Sequence, residues 1–348
     1  MDIKNFIFET VSNTGVSGFE SNRANFLKGK FEEFCDEVSI DTIGNVIAVK
    51  KGNGKGKFMY VAHMDEIGLM VTDIDDKGMI SFISVGGVDQ RTLVSQEVRI
   101  FGKEEVFGVI GIAPPHITPV ADAKKAILMK DMKIDTGYSA EKVRELVSIG
   151  DIAVVKRTPI ELLNGRISVN ALDDLSGVAA MYATMERLTE IKHDFDVYFV
   201  ASTNEEIGGP GAGLAAYGVK PDIAISLDVE FAKTPELSNI DVKLSKGPVL
   251  VIKPTNHRKI FKAHKEVANA CNIPYQIVVD KSYGGTDSAI LQVSNYGIPT
   301  ADLVIPLRYM HTSVEVMDIN DISETSRLMA SFVQSFNKVS DLEEFLCY

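Results

Sequence analysis

Cysteine is scarce in this chain. The three present, Cys35, Cys271 and Cys347, are too few and too scattered for a disulfide framework or a CxxC metal site, and fit a reducing compartment. Clustered positive charge is missing as well: the formal net charge is −12 with Lys and Arg dispersed, which excludes a phosphate-backbone partner. No run of about 18 apolar residues spans a bilayer. The opening MDIKNFIFETVSN lacks the basic and long apolar regions of a secretory leader, so a cytoplasmic location is expected. Neither low-complexity segments nor internal repeats occur.

What is present is an ordinary globular balance, 45% hydrophobic and 24% charged, over 348 residues. That length exceeds one core of roughly 100–200 residues, so two domains or one domain with an insert are expected. Apolar β-branched runs alternate with helical patterns in two separated stretches, the signature of an α/β sheet. The first ends near residue 62 and contains a helix over 19–34, Val46 to Val49 and the strand FMYVA at 58–62. The second, 160–348, holds strands at 195–202, 222–228, 248–252 and 300–305 and helices at 174–190, 258–271 and 321–337. Between them, 66–159 carries short alternating runs punctuated by Gly and Asp, and reads as an inserted small β domain.

Three motifs carry candidate chemistry. In AHMDEIG (62–68) a hydrophobic strand runs into His63, with Asp65 two residues on and therefore on the same face. A carboxylate there can accept the imidazole's second N–H and fix a metal-binding tautomer; a polar turn is the alternative. In NALDDLSG (170–177), Asp173 and Asp174 precede a helix, where one would cap but two exceed what capping needs. In FDVYFVASTNEEIGGPGAG (195–213), a buried strand ends in Glu205 and Glu206 before a Gly/Pro-rich turn. The carboxyl end of a sheet strand is where open α/β sheets place ligands. A phosphate loop is disfavoured because the Lys-Ser/Thr ending is absent.

Asp228, closing DIAISLD, and His311, after LVIPLRYM, share that address. His116, His193, His257 and His264 read as surface residues, with His116 able to reach a site. Two His and at least three carboxylates at one sheet edge suit zinc, cobalt or manganese. Two divalent ions of roughly +4 would balance three carboxylates and a hydroxide of roughly −4. Glu205 is then left over as a general base.

With these motifs, LDV at 227–229, GGTDS at 284–288, and RYMH followed by SVE, the chain resembles metallopeptidase family 42, the tetrahedral and glutamyl aminopeptidases, over essentially its whole length. The resemblance implies a three-layer zinc-exopeptidase-like catalytic domain (1–65 and 160–348) with an inserted β-barrel dimerisation domain (66–159). It makes His63 and Asp228 terminal ligands of one metal, Glu206 and His311 of the other, and Asp173 the bridge, with a cis Asp173–Asp174 bond. Glu205 takes the general-base role and Asp65 orients His63. It further implies peptide substrates with a free N-terminus, and dimers assembling into tetrahedral dodecamers. The STN before the glutamates and the loop 121–137 depart from the family form. Thr286, Asp287 and Arg308 are candidate specificity residues. The same cage would serve a deacylase of N-acyl amino acids, and a non-enzymatic binding protein with a structural metal is the remaining alternative.

Overall fold

A computed structural model describes residues 2–113, 116–117, 125–282, 284–338 and 342–347. Part of the divergent loop, 121–124, lies outside the described residues. An eight-stranded sheet runs in the order 37–40, 46–50, 196–202, 57–63, 223–231, 300–307, 249–252, 276–279. Its four central strands, from 196–202 to 300–307, are mutually parallel.

Parallel strands must be covered on both faces, which explains their nearly unbroken apolar sequences. Along Lys57–His63 the alternation is explicit. Phe58, Tyr60 and Ala62 join the core beneath helices Ile3–Ser12, Leu172–Leu188 and Ile319–Ser335. Met59 and Val61 instead pack with Ala212, Ala216 and Leu291 of helices Pro210–Val219 and Ser288–Leu291. The result is a three-layer α/β/α arrangement.

After His63 the chain leaves the sheet and forms a closed six-stranded barrel from strands between 68 and 155. Its Glu105–Ile110 strand alternates exposed and buried residues, and Val98, Ile100, Val106 and Ile110 fill the interior. A small third sheet pairs 160–162, 166–169 and 315–318.

Several expectations need correction. Ile3–Ser12 is a capped helix, with the Asp2 carboxylate accepting the Asn5 N–H. The Gly/Pro-rich turn is brief: Gly208 and Gly209 take positive φ, and Pro210 then starts a helix at its first position, where its missing N–H is harmless. Asp228 does not close its strand, which continues to Phe231. His116 is exposed, but His193, His257 and His264 are buried. His193 Nδ1 meets the Phe195 carbonyl at 2.7 Å, and His257 Nε2 meets that of Leu346 at 3.1 Å.

His264 packs on Phe332 with ring centroids 3.9 Å apart. Burial drives its imidazole down to about 3, so it is neutral in the fold. The unfolded chain would take up that proton near pH 6.5. Because the folded value is the lower one, the residue's contribution is complete above about pH 6.5 and is lost as pH falls towards the folded value. The loss between pH 6.5 and 5 is expected to reach about 2 kcal/mol. Urea midpoints at the two pH values should therefore converge in His264→Leu; an unchanged pH dependence would contradict the assignment.

Candidate active site

The candidate residues gather at the carboxyl ends of the central parallel strands. His63 ends Lys57–His63, paired to Ser202, and Glu205 and Glu206 form a short turn just beyond Asp196–Ser202. Asp228 lies in Ile223–Phe231 opposite Val304. His311 follows Thr300–Leu307 with φ 61°. Asp173 enters from the start of Leu172–Leu188, where the Asp173–Asp174 bond is cis and both residues are non-helical.

Asp173 is the centre of the group. Its Oδ1 lies 3.0 Å from His63 Nε2 and its Oδ2 lies 3.4 Å from His311 Nε2. His311 Nε2 is also 3.4 Å from Glu206 Oε2. One ligand atom each from His63, Asp173 and Glu206 fall within 4.8 Å of one another. Asp228 and Glu205 line the same cavity of about 340 Å³, together with Thr286 and His311. Of the proposed specificity residues, Thr286 lines it, whereas Arg308 donates to the Lys233 carbonyl and Asp287 is buried, accepting from the Ser202 hydroxyl.

The supporting contacts differ from the simple His63–Asp65 pair. His63 Nδ1 faces the Asp65 main-chain carbonyl at 3.1 Å, nearer than that residue's carboxylate at 3.6 Å. The Asp65 carboxylate instead accepts the Glu205 and Glu206 N–H groups at 3.0 and 3.2 Å and the Ser17 hydroxyl at 2.6 Å. Asp65 thus pins the turn that presents both glutamates. The second imidazole is held from the barrel: His311 Nδ1 lies 3.1 Å from the Gly87 carbonyl, which can only accept, so Nδ1 carries a proton and Nε2 is turned towards Asp173 and Glu206. A Cβ on Gly87 would fall 2.6 Å from His311 Nδ1, so glycine is required for that approach.

Sequence reasoning missed the roles of Glu315 and Arg23, while the capping read for one of the paired aspartates falls to Asp174. Glu315 accepts the Asp173 N–H at 3.2 Å and the His311 N–H at 2.9 Å, holding both backbones. Asp174 accepts the Gly177 N–H and caps the helix. Arg23, fully buried, donates to the Asn13 and Met64 carbonyls and to Glu66 Oε1, while Glu66 Oε2 accepts from Asn170. The quoted SVE and AHMDEIG motifs contained Glu315 and Glu66, but Asp173, Arg23 and Asn170, which they join, are distant in sequence.

Electrostatics follow from crowding carboxylates in a buried space. Burial, then neighbouring carboxylates, pushes Asp228 well above the usual carboxylate range, and burial and the Asp173 charge raise Glu206 to about 7. Glu205 is raised by the same causes. Burial would also raise Asp173, yet hydrogen bonds from His311 and His63 hold it below its ordinary value. Burial opposes charge on His63, but the Asp173 hydrogen bond and the Asp65 charge overcome it and raise its pKa well above normal. His311 is raised to about 9, first by its Asp173 hydrogen bond. A buried excess of carboxylates with two imidazoles is a donor set that fits divalent cations accepting mixed nitrogen and oxygen ligands.

Fold and site together define a class: three-layer α/β proteins that gather reactive side chains at the carboxyl ends of parallel strands. The chain belongs to the M42 glutamyl aminopeptidase family, whose model matches residues 44–328. It is 37% identical over 330 residues to the lysyl aminopeptidase of Pyrococcus furiosus, covering 93% of this chain and 94% of that protein. Among solved structures, a TET aminopeptidase from a marine-sediment Thaumarchaeota archaeon superposes with TM-score 0.93 at 30% identity, covering 99% and 100% of the two chains. The Pyrococcus horikoshii TET1 peptidase, described as assembling into a tetrahedron or a large octahedral shell, gives TM-score 0.83 at 32% identity, covering 94% and 99%. The protein is thus an aminopeptidase-class hydrolase, and the non-enzymatic alternative falls.

Proposed function

We propose that this chain releases N-terminal amino acids from peptides through a two-metal site, with His63 and Asp228 on one cation, Glu206 and His311 on the other, and Asp173 shared. The observation that carries this reading is the disposition of Asp173, whose two oxygens face different imidazoles, as a carboxylate shared between two ions requires. Zinc, with cobalt or manganese as alternatives, suits the donor set. When bound, such cations supply Lewis-acid polarisation of the scissile carbonyl.

The chain's own residues do the rest. Glu205, at the edge of the cavity, accepts the proton of the attacking water and returns it to the leaving amine, its raised affinity for protons matching that shuttle. Asp65 keeps Glu205 and Glu206 in register through their N–H groups. Glu315 holds the backbones of Asp173 and His311.

Assembly is part of the proposal. Barrel residues Ile83, Phe107 and Val109 are exposed apolar groups suited to a dimer contact, and TET relatives supply the precedent for higher order. A cytoplasmic location follows the same reading.

Treatment with a chelator is expected to abolish hydrolysis of aminoacyl p-nitroanilides, and zinc, cobalt or manganese to restore it. Asp228→Ala should lose bound metal by elemental analysis. Full activity after verified metal removal would defeat the two-metal reading, and a panel of N-acyl amino acids separates peptidase from deacylase.

A further inference from the structure

A second cavity, of about 240 Å³, lies where helix Ile3–Ser12 ends against the segment returning from the barrel. Its lining includes Ser12, Thr14, Glu66, Arg99, Arg157 and Asn170. Most of the charge there is already matched. Arg99 is gripped by Glu105 through two bonds of 2.9 and 2.7 Å. Glu66 is taken by Arg23 at 2.5 Å and by Asn170 at 2.7 Å.

Arg157 is the exception: among the described residues it has no ion-pair partner, and its buried Nε has no acceptor. Thr14, only 6% exposed, likewise has a buried hydroxyl without a partner. Burying unmet donors is costly, and natural folds leave few of them without a reason. A half-buried guanidinium whose Nε lacks an acceptor and a buried hydroxyl without a partner, around a space several times the ~30 Å³ share of a water molecule, form a cradle for an anion.

We propose that this cavity is a small-oxyanion site, binding a carboxylate or a phosphate group between Arg157 and Thr14. It adjoins the catalytic centre. Glu66, Val154, Val155 and Asn170 also line the narrow cleft that reaches Asp173, Glu206 and His311, and Asn170 leads within three residues to Asp173. The amino acid released by the proposed reaction would supply a carboxylate, and that source alone rests on the proposed function; inorganic phosphate is the other source.

The test is calorimetric titration of metal-loaded protein with sodium acetate and, separately, with sodium phosphate. Arg157→Gln is expected to weaken binding of the preferred anion by at least about tenfold, and Thr14→Val severalfold. Turnover of a p-nitroanilide without added anion should be unchanged in both variants. A lower dissociation constant for acetate identifies a carboxylate ligand, and a lower one for phosphate identifies phosphate. Equal affinity in wild type and Arg157→Gln would place the anion elsewhere and overturn the proposal, as would the absence of heat with either anion. Lack of turnover on every peptide substrate would instead fail the aminopeptidase reading, which the titration does not depend on.

Discussion

Replacing Glu205 with glutamine is expected to lower kcat by about 10²–10⁴-fold while the metal content found in the wild type is retained. The substitution keeps the shape of the side chain and removes only its capacity to take a proton. The turn is anchored through the main chain, by the Glu205 and Glu206 N–H groups on Asp65, so the change leaves that anchor intact. Among the described residues the Glu205 carboxylate makes no hydrogen bond, which fits a group kept available for a reacting proton. Metal content by elemental analysis and kcat on a p-nitroanilide, measured on one preparation, decide the matter. Near-normal turnover would remove Glu205 from the base role, whereas joint loss of metal and turnover would make it a ligand.

The largest expected effect on stability is that of Arg23→Ala, about 3–5 kcal/mol. Arg23 has no exposed surface, and its guanidinium donates to the Asn13 carbonyl at 2.9 Å, the Met64 carbonyl at 2.7 Å and Glu66 at 2.5 Å. Truncation leaves a buried carboxylate without its counter-charge, a void, and two carbonyls short of donors. The midpoint of thermal unfolding should fall by roughly 4–7 °C. Arg23→Met, which fills the space without the charge, separates packing from pairing: recovery of most of the lost stability would show that packing dominates. Activity should fall with stability, because Met64 and Glu66 flank Asp65.

How much of this was legible depends on the range over which each signal acts. The central strands were readable because burial on both faces makes them continuously apolar, as in 58–62 and 300–305. Edge strands such as Glu37–Ile40 carry a weaker, half-exposed pattern and escaped. Helix Pro210–Val219 was obscured by its own glycines, which are poor helix formers but let the helix pack closely: a Cβ on Gly211 would lie 2.3 Å from the Thr203 carbonyl oxygen. The burial of His264 had a signal that went unread. Ile260, His264, Val267 and Ala268 recur at helical spacing on one face of Arg258–Ala270. The candidate residues His63, Asp173, Glu205, Glu206 and His311 stood out in the sequence because each lies at or just beyond a strand end or at a helix start, whereas Asp228 lies inside a strand that runs on to Phe231. Most of the contacts that support them, Glu315 to Asp173, Gly87 to His311 and Arg23 to Glu66, join positions far apart in the chain, and no local pattern encodes them.

The insertion of the barrel between two central strands has a consequence for how the protein is made. Strand Lys57–His63 has sheet partners only at 196–202 and 223–231 among the described residues, with Val61 opposite Val200. On the ribosome, at about 5–20 residues per second, roughly seven to thirty seconds separate its synthesis from that of its first partner. During that interval the barrel can close on its own nearer contacts, while Phe58, Met59, Tyr60 and Val61 wait without a sheet. The sheet that carries the candidate site residues is therefore the late-forming part of the nascent chain, and the apolar stretch 58–62 is a segment that chaperones would have to shield.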